Sequence, residues 1–215
     1  MTMKPVSPKT ALGFWRLSRR HALGLCAASG GLAFLGVQAS AAVSVADARA
    51  FVAATAEELF SIARSGRSVD EQRSAFRAVL ERRVAIDAIA RACLGIAWRS
   101  ADGTQKKSYL DAFKHYVAYK YGGRFDEFRN AKLEITNARD FGERGVIVES
   151  RGTLGNGETA VVEWGVSDRS GTVLISNIVV EGLSLVTSER ELIGGMLERN
   201  RGNLDGLITD LKATS

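Results

Sequence analysis

The chain has 215 residues, with 29 Lys and Arg against 24 Asp and Glu and a formal net charge of +5. Five of the basic groups (Lys4, Lys9, Arg16, Arg19, Arg20) fall in the first 41 residues, which hold no acidic group, so residues 42–215 balance at 24 and 24. The excess positive charge belongs to that segment and gives no support to a nucleic-acid partner.

Residues 1–41 read as a cleaved export signal. The basic start is followed by an apolar run rich in Gly and Ala, Ala22 to Val37, and then by Ala39-Ser40-Ala41, which predicts cleavage after Ala41. Ser18-Arg19-Arg20-His21-Ala22-Leu23 is close to the twin-arginine pattern, with Ala22 and Leu23 where the pattern has Phe and then Leu. The apolar run is too short and too weak to hold a stable helix across a bilayer of about 30 Å. Leu25 before Cys26 argues against a lipoprotein site, which needs a small residue there. What remains, 42–215, is long enough for one well-buried domain. Only Cys93 and His115 stay of their kinds, which excludes an intramolecular disulfide and a zinc site built from those ligands.

The first half of the remaining chain predicts helices. Ser44 opens a segment with Phe51, Thr55, Leu59 and Ile62 on one stripe, and Gly66 is placed to stop it. Ser68-Val69-Asp70-Glu71 is a capping box, and Phe76, Val79, Leu80 and Val84 continue that helix on an apolar face. A short helix over about 87–94 ends at Gly95. After Trp98-Arg99 and a polar loop, a longer helix over about 104–121 carries Tyr109, Phe113, Tyr116 and Val117 at helical spacing, and Gly122-Gly123 breaks it. Phe125 and Phe128 form a short continuation.

From about Lys132 to Glu181 the period changes to two. Four strands are predicted, around 132–139, 144–152, 158–167 and 172–181, joined by short links such as Gly155-Asn156-Gly157 and Asp168-Arg169-Ser170-Gly171. Such links permit antiparallel hairpins and leave no room for crossover helices. Val146, Val148, Val162, Trp164, Val166, Ile178 and Val180 assemble one apolar face. Two helices close the chain, the first from a capping box at Ser188-Glu189-Arg190-Glu191 and the second from Asn203 with Leu204, Leu207, Ile208 and Leu211. The fold class is therefore α+β: an antiparallel meander of four strands, or slightly more, with one face covered by the N- and C-terminal helices.

Little in this sequence points to catalysis. Ser184 in Gly182-Leu183-Ser184-Leu185-Val186 resembles half of a nucleophile elbow, without the second glycine and after a strand of a meander. His115 on a helix face reads as structural, and the buried setting of Cys93 reads as an inert thiol. No cofactor or metal is implied. The charge runs Glu57-Glu58, Glu81-Arg82-Arg83 and Glu189-Arg190-Glu191 read as solvated helix faces. A small-molecule binding module would need convergent polar groups, which the sequence does not display, and a purely structural role would need a filled core.

Several segments together resemble the MlaC family, also known as toluene-tolerance proteins, periplasmic phospholipid-binding components of an ABC-type lipid transport system in the Gram-negative envelope. They are Glu71-Gln72-Arg73 with Phe76-Arg77, Ile89-Ala90 with Leu94-Gly95, Trp98-Arg99 with Gln105 and Phe113, and Val179-Val180-Glu181-Gly182-Leu183-Ser184-Leu185 with Arg190. Two places depart from the family's usual pattern. Lys120-Tyr121-Gly122-Gly123 stands where the family often has a threonine and tyrosine, and Ser188-Glu189-Arg190 where it has an aromatic before the arginine. The same residues are similar to a hopanoid-associated branch.

The resemblance implies a non-catalytic lipid carrier whose acyl chains enter an apolar cavity between sheet and helices, with a phospholipid or related lipid and the inner- and outer-membrane lipid transport complexes as partners, acting in the periplasm. Candidate lining residues, chosen by face, are Trp98, Phe113, Tyr116, Val117, Val148, Val162, Trp164, Ile178, Val180 and Leu183. Arg99 and Glu181, polar residues among apolar ones, are expected to be paired.

Overall fold

The computed structural model describes residues 43–214; the export signal and its cleavage site at Ala41 lie outside the described residues. Helix α1 (Val45–Arg64) starts where Ser44 Oγ accepts the Asp47 N–H, and α2 (Val69–Arg83) starts at the capping box, with Ser68 and Glu71 each satisfying the other's free amide. Val84 does not continue α2. It is extended (φ −120°, ψ 141°) and forms a parallel bridge with Ile175, and the next residue, Ala85, donates its N–H to Ile175 O at 2.9 Å. Helix α3 (Ile86–Leu94) ends at Gly95, and a single turn, α4 (Ala97–Ser100), leads to α5 (Gly103–Gly122). The start of α5 is a second capping box, Asp102 with Gln105, one turn before the aromatic stripe. No described helix is long and apolar enough to cross a membrane.

After a 3₁₀ turn at Phe125–Phe128 the strands follow: β1 (Lys132–Asp140), β2 (Val146–Thr153), β3 (Thr159–Ser167), β4 (Leu174–Val180) and the two-residue β5 (Leu183–Ser184). They pair antiparallel in chain order, so the predicted meander gains only β5 at one edge. Helices α6 (Leu185–Arg199) and α7 (Leu204–Lys212) complete the described chain. Ser188 does not cap α6. The helix begins one turn earlier with Ser184, whose Oγ accepts the Thr187 N–H, and the Ser188 hydroxyl donates back to Ser184 O at 3.1 Å.

The pleat turns Val146, Val148 and Ser150 of β2 and Val166, Trp164 and Val162 of β3 to one side, in direct register across the pair. On β4 a bulge opposite Gly165 and Val166 inserts Ser176, which lets Ile175 share that face with Ile178 and Val180 despite the odd spacing. Ser150 is the polar exception, fully buried, and its hydroxyl accepts the indole N–H of Trp164 at 2.9 Å and donates to Val162 O at 3.2 Å. The indole is thereby satisfied while its ring stays on the apolar side.

The core falls into three apolar clusters. One joins α3, α5, α6 and α7 around Tyr109, Phe113, Ile193 and Leu207; a second holds α1 against the sheet through Val52, Val148 and Val166; a third packs Ile62, Val79 and Phe125 where α1, α2 and the 3₁₀ turn meet. Outer ion pairs tie the helices to one another, Arg82 and Arg83 to Glu58 between α2 and α1, and Arg77 to Asp111 between α2 and α5.

Two expectations follow. Gly145 (φ +93°) and Gly157 (φ +91°) have nearly the same φ, but a Cβ at Gly145 would lie 2.1 Å from Val166 O whereas one at Gly157 meets nothing within 4 Å. In denaturant titrations Gly157→Ala should cost about 1–2 kcal/mol, the usual cost of positive φ for an L-residue, and Gly145→Ala clearly more; equal costs would contradict the packing described. Ser150→Ala, which leaves the Trp164 N–H unmatched, should lower stability by about 1–3 kcal/mol in the same assay.

Candidate functional site

Between the three clusters lies a cavity of about 520 Å³. The sheet supplies Val162 and Trp164 of β3 and Ile178 and Val180 of β4, which face each other in register as Val162 opposite Val180 and Trp164 opposite Ile178. Leu59 and Phe60 of α1, Phe76 and Val79 of α2, Ile89 of α3, Phe113 and Val117 of α5, and Leu185 and Val186 of α6 supply the other walls. Val162, Ile178 and Val180 are only half-buried although they stand on the inner face of the sheet, because the space in front of them is open and no helix fills it. Thr55 is a polar lining residue of α1, and its hydroxyl is spent on Phe51 O at 2.8 Å. The walls thus offer dispersion contacts over nearly their whole area and few hydrogen bonds.

One end of the cavity is bordered by exposed residues of the 3₁₀ turn (Arg124, Glu127, Phe128), of β1 (Lys132) and of the β2–β3 hairpin (Glu158, Thr159). Arg124 grips Glu127 with two hydrogen bonds of 2.9 and 2.8 Å. A smaller polar pocket with Asp126, Asn130 and Asn156 adjoins this rim and shares Glu127, Leu154 and Glu158 with the main cavity. Charged and apolar groups are therefore separated: the charges ring the opening and the hydrocarbon lines the interior.

The exception is Glu189, on the wall formed by α5 and α6. It is 4% exposed and is the one charged side chain among the buried lining residues. Its Oε1 accepts from Lys120 Nζ at 2.6 Å and from the Tyr121 hydroxyl at 2.5 Å, and Lys120 Nζ also donates to the Tyr116 hydroxyl at 3.2 Å. Burial pushes the Tyr121 phenol up to about 12, helped by the adjoining carboxylate. Burial pulls Lys120 the other way, but its hydrogen bonds to Glu189 and Tyr116 and the Glu189 charge outweigh that, so its pKa rises above the ordinary lysine range.

Of the ten residues chosen by face, the structure brings six together around the cavity: Phe113, Val117, Val162, Trp164, Ile178 and Val180. The other four stand elsewhere. Trp98 packs beside Tyr109 in the helical cluster, ring centroids 6.4 Å apart; Tyr116 is buried in that cluster; Val148 is fully buried under α1; Leu183, on β5, is 69% exposed. The helical stripe holding Phe113 and Tyr116 is wider than the strip of α5 that borders the cavity, and the face of β2 is already covered by α1. Arg99 and Glu181 do not pair: Arg99 is exposed, and Glu181 at φ +49° turns its carboxylate onto the Val161 N–H.

Sequence reading missed the contribution of α1 and α2, whose apolar residues look the same whether they face another side chain or open space. It also assigned Glu189 to a solvated face. The available signal was that Lys120 and Glu189 stand at the two places where the chain departs from the pattern of the family it resembles, and the structure brings those two departures together as one ion pair.

Ser184, His115 and Cys93 are otherwise engaged. Ser184 Oγ donates to Asn177 Oδ1 and caps α6, whereas His115 Nε2 lies 3.3 Å from Thr214 O, so neither hydrogen-bonds the other. Cys93 is buried beside Val186 O, and burial, with the Glu189 charge, pushes its thiol up to about 12. Among the described residues no cluster of His, Cys, Asp and Glu could hold a metal ion.

Comparison with known proteins agrees with this architecture. A solved structure of similar fold is the phospholipid-binding protein from Ralstonia solanacearum, described in complex with a phospholipid; it superposes with a TM-score of 0.65 at 19% identity, over 76% of this chain and 94% of that one. The family model described as MlaC protein matches residues 53–213, from the middle of α1 to just past α7. By that match over most of its length, this chain belongs to the MlaC family.

Proposed function

We propose that this protein is a non-catalytic periplasmic lipid carrier, which holds phospholipid acyl chains in the cavity and shuttles lipid between inner- and outer-membrane complexes. The observation that carries the reading is a cavity of about 520 Å³ with apolar walls, open at its charged rim, in a domain whose three clusters are otherwise packed. That volume falls within the roughly 300–1,000 Å³ of ligand pockets, and hydrocarbon walls offer a water few of the hydrogen bonds that would hold it firmly. The family and the phospholipid described with the Ralstonia solanacearum protein support the choice of cargo. The segment read as an export signal, residues 1–41, supports the compartment.

The physical need for such a cavity is large. Each buried methylene is worth roughly 0.8 kcal/mol, so two acyl chains of about fifteen methylenes each oppose transfer into water by something on the order of 20 kcal/mol. A surface patch leaves much of each chain wet, whereas an interior between sheet and helices covers it. The head group rests at the charged rim, in contact with water. Loading and release then require the helices and sheet to part at a membrane complex, with no bond made or broken in the lipid.

Native mass spectrometry with organic extraction, on protein purified from the periplasm, should find lipid at about one per chain. A lipid-free protein that also takes up no labelled phospholipid from vesicles would overturn the reading. Val162→Trp with Ile178→Phe adds bulk at neighbouring positions of the sheet wall; the folded double variant, checked by circular dichroism, should lose most of its lipid. Retention equal to wild type would place the binding site elsewhere.

A further inference from the structure

Residues 91–107 carry Arg91, Arg99, Lys106 and Lys107 against one acidic residue, Asp102, although the chain from 42 to 215 is balanced as a whole. The fold gathers these charges. Gly95 (φ +63°) ends α3 and turns the chain into the single turn α4, and the ring of Trp98 on that turn has the Arg91 guanidinium 5.4 Å and the Lys106 ammonium 5.6 Å from its centre. Arg190 of α6 reaches the same turn, its Nη2 standing 3.9 Å from where a Cβ at Gly95 would lie. Between Gly95 and Trp98, Ile96 is 83% exposed, more than any other large apolar side chain of the described residues.

No carboxylate answers this cluster. Among the described residues Arg91, Arg99, Lys106, Lys107 and Arg190 form no ion pair, whereas Arg73, Arg77, Arg82 and Arg83 of α2 are each paired. Asp102 is spent at the start of α5, where it accepts the Gln105 N–H at 2.8 Å, and Glu189 is held by Lys120. Glu191 adjoins Arg190 in sequence, but successive helical positions do not face each other. A lone exposed isoleucine is ordinary. One set among unpaired cations has the composition of a contact with an anionic surface.

The chemistry favours a bilayer over a protein as that surface. An acidic protein would have to place carboxylates to match each cation, around an apolar centre larger than one side chain. Lipid phosphates form a continuous plane, which long Lys and Arg side chains meet at whatever height they stand, while a single aliphatic group dips between head groups. The cluster also stands apart from the mouth of the cavity. Lys106 lies in the first turn of the 20-residue α5 and rim residue Arg124 just beyond its last, so the helix sets the two roughly 30 Å apart.

We propose that the surface around Ile96, formed with Arg91, Arg99, Lys106 and Arg190, docks this protein on bilayers that contain anionic phospholipid, with the mouth of the cavity held off that bilayer. This goes beyond the carrier reading and does not depend on it. A few cations on a domain of no net charge make a weak and reversible attachment, which keeps the protein at the membrane surface while its mouth stays free for a protein partner.

The test is co-sedimentation of protein purified from the periplasm with vesicles of phosphatidylcholine, alone or mixed with phosphatidylglycerol, at low ionic strength. The mixed vesicles should bind at least about tenfold more tightly, and added salt should abolish the difference. Each cation at an anionic leaflet is worth roughly fivefold in affinity, so Arg91→Gln with Arg190→Gln should weaken binding by about tenfold or more. Ile96→Ser should weaken it with no change of charge. Arg67→Gln with Arg151→Gln removes two exposed cations from α1–α2 and the sheet and should leave binding unchanged. Wild-type protein that does not distinguish the two kinds of vesicle overturns the assignment, as does an equal loss in the two double variants. Carried lipid, read by native mass spectrometry, should be the same in every variant, so failure of the docking assignment and failure of the carrier reading are seen separately.

Discussion

The structure depends on keeping two apolar surfaces covered without letting them meet. The inner face of the sheet and the inner sides of α2, α3, α5 and α6 each need to leave water, and the ordinary solution is to interdigitate them at full packing density. Here the helical layer is joined to β4 through the bridge between Val84 and Ile175 and the neighbouring Ala85 N–H, and α1 closes over Val148 and Val166. Beyond those two places the layers diverge, and the space between them is the cavity. Three clusters in place of one are the consequence.

That arrangement needs stiffness from somewhere other than the middle of the core. Each cluster is packed around fully buried side chains such as Tyr109, Val52 and Ala63, and the ion pairs of Glu58, Asp111 and Glu189 connect helices from the outside or from the wall. The polar groups that do face inward, Ser150, Thr55 and Trp164, have their hydrogen bonds satisfied locally, so they can border hydrocarbon without desolvation cost.

Much of the fold was legible because it rests on short-range chemistry. The capping serines 44 and 68, the stop at Gly95, the period-two alternation of 132–180 and the hairpin at Gly155-Asn156-Gly157 each act within a few residues, and each predicted element is present within a few residues of its expected bounds. The misplacements have local explanations of the same kind. Ser184 and Ser188 both precede helical sequence, and Ser184 caps because β5 ends on it; Val84 has the right spacing for α2 but is drawn into an extended bridge by Ile175. The bulge at Ser176 breaks the alternation that the remainder of the sheet obeys, which is why Ile175 was not read as part of the inner face.

By itself the sequence determined which segments are helix or strand and which side of each is apolar, because backbone propensity, capping and periodicity are properties of neighbouring residues. It could not tell a side chain that packs against another from one that faces open space, since both are apolar at the same spacing; Val148 and Val162 both stand on the inner face of the sheet, and only the tertiary packing makes one fully buried core and the other a half-buried cavity wall. Nor could it show that Lys120 and Glu189, 69 residues apart, meet. Those outcomes depend on how layers are spaced and on contacts distant in the chain, and these the tertiary structure alone decided.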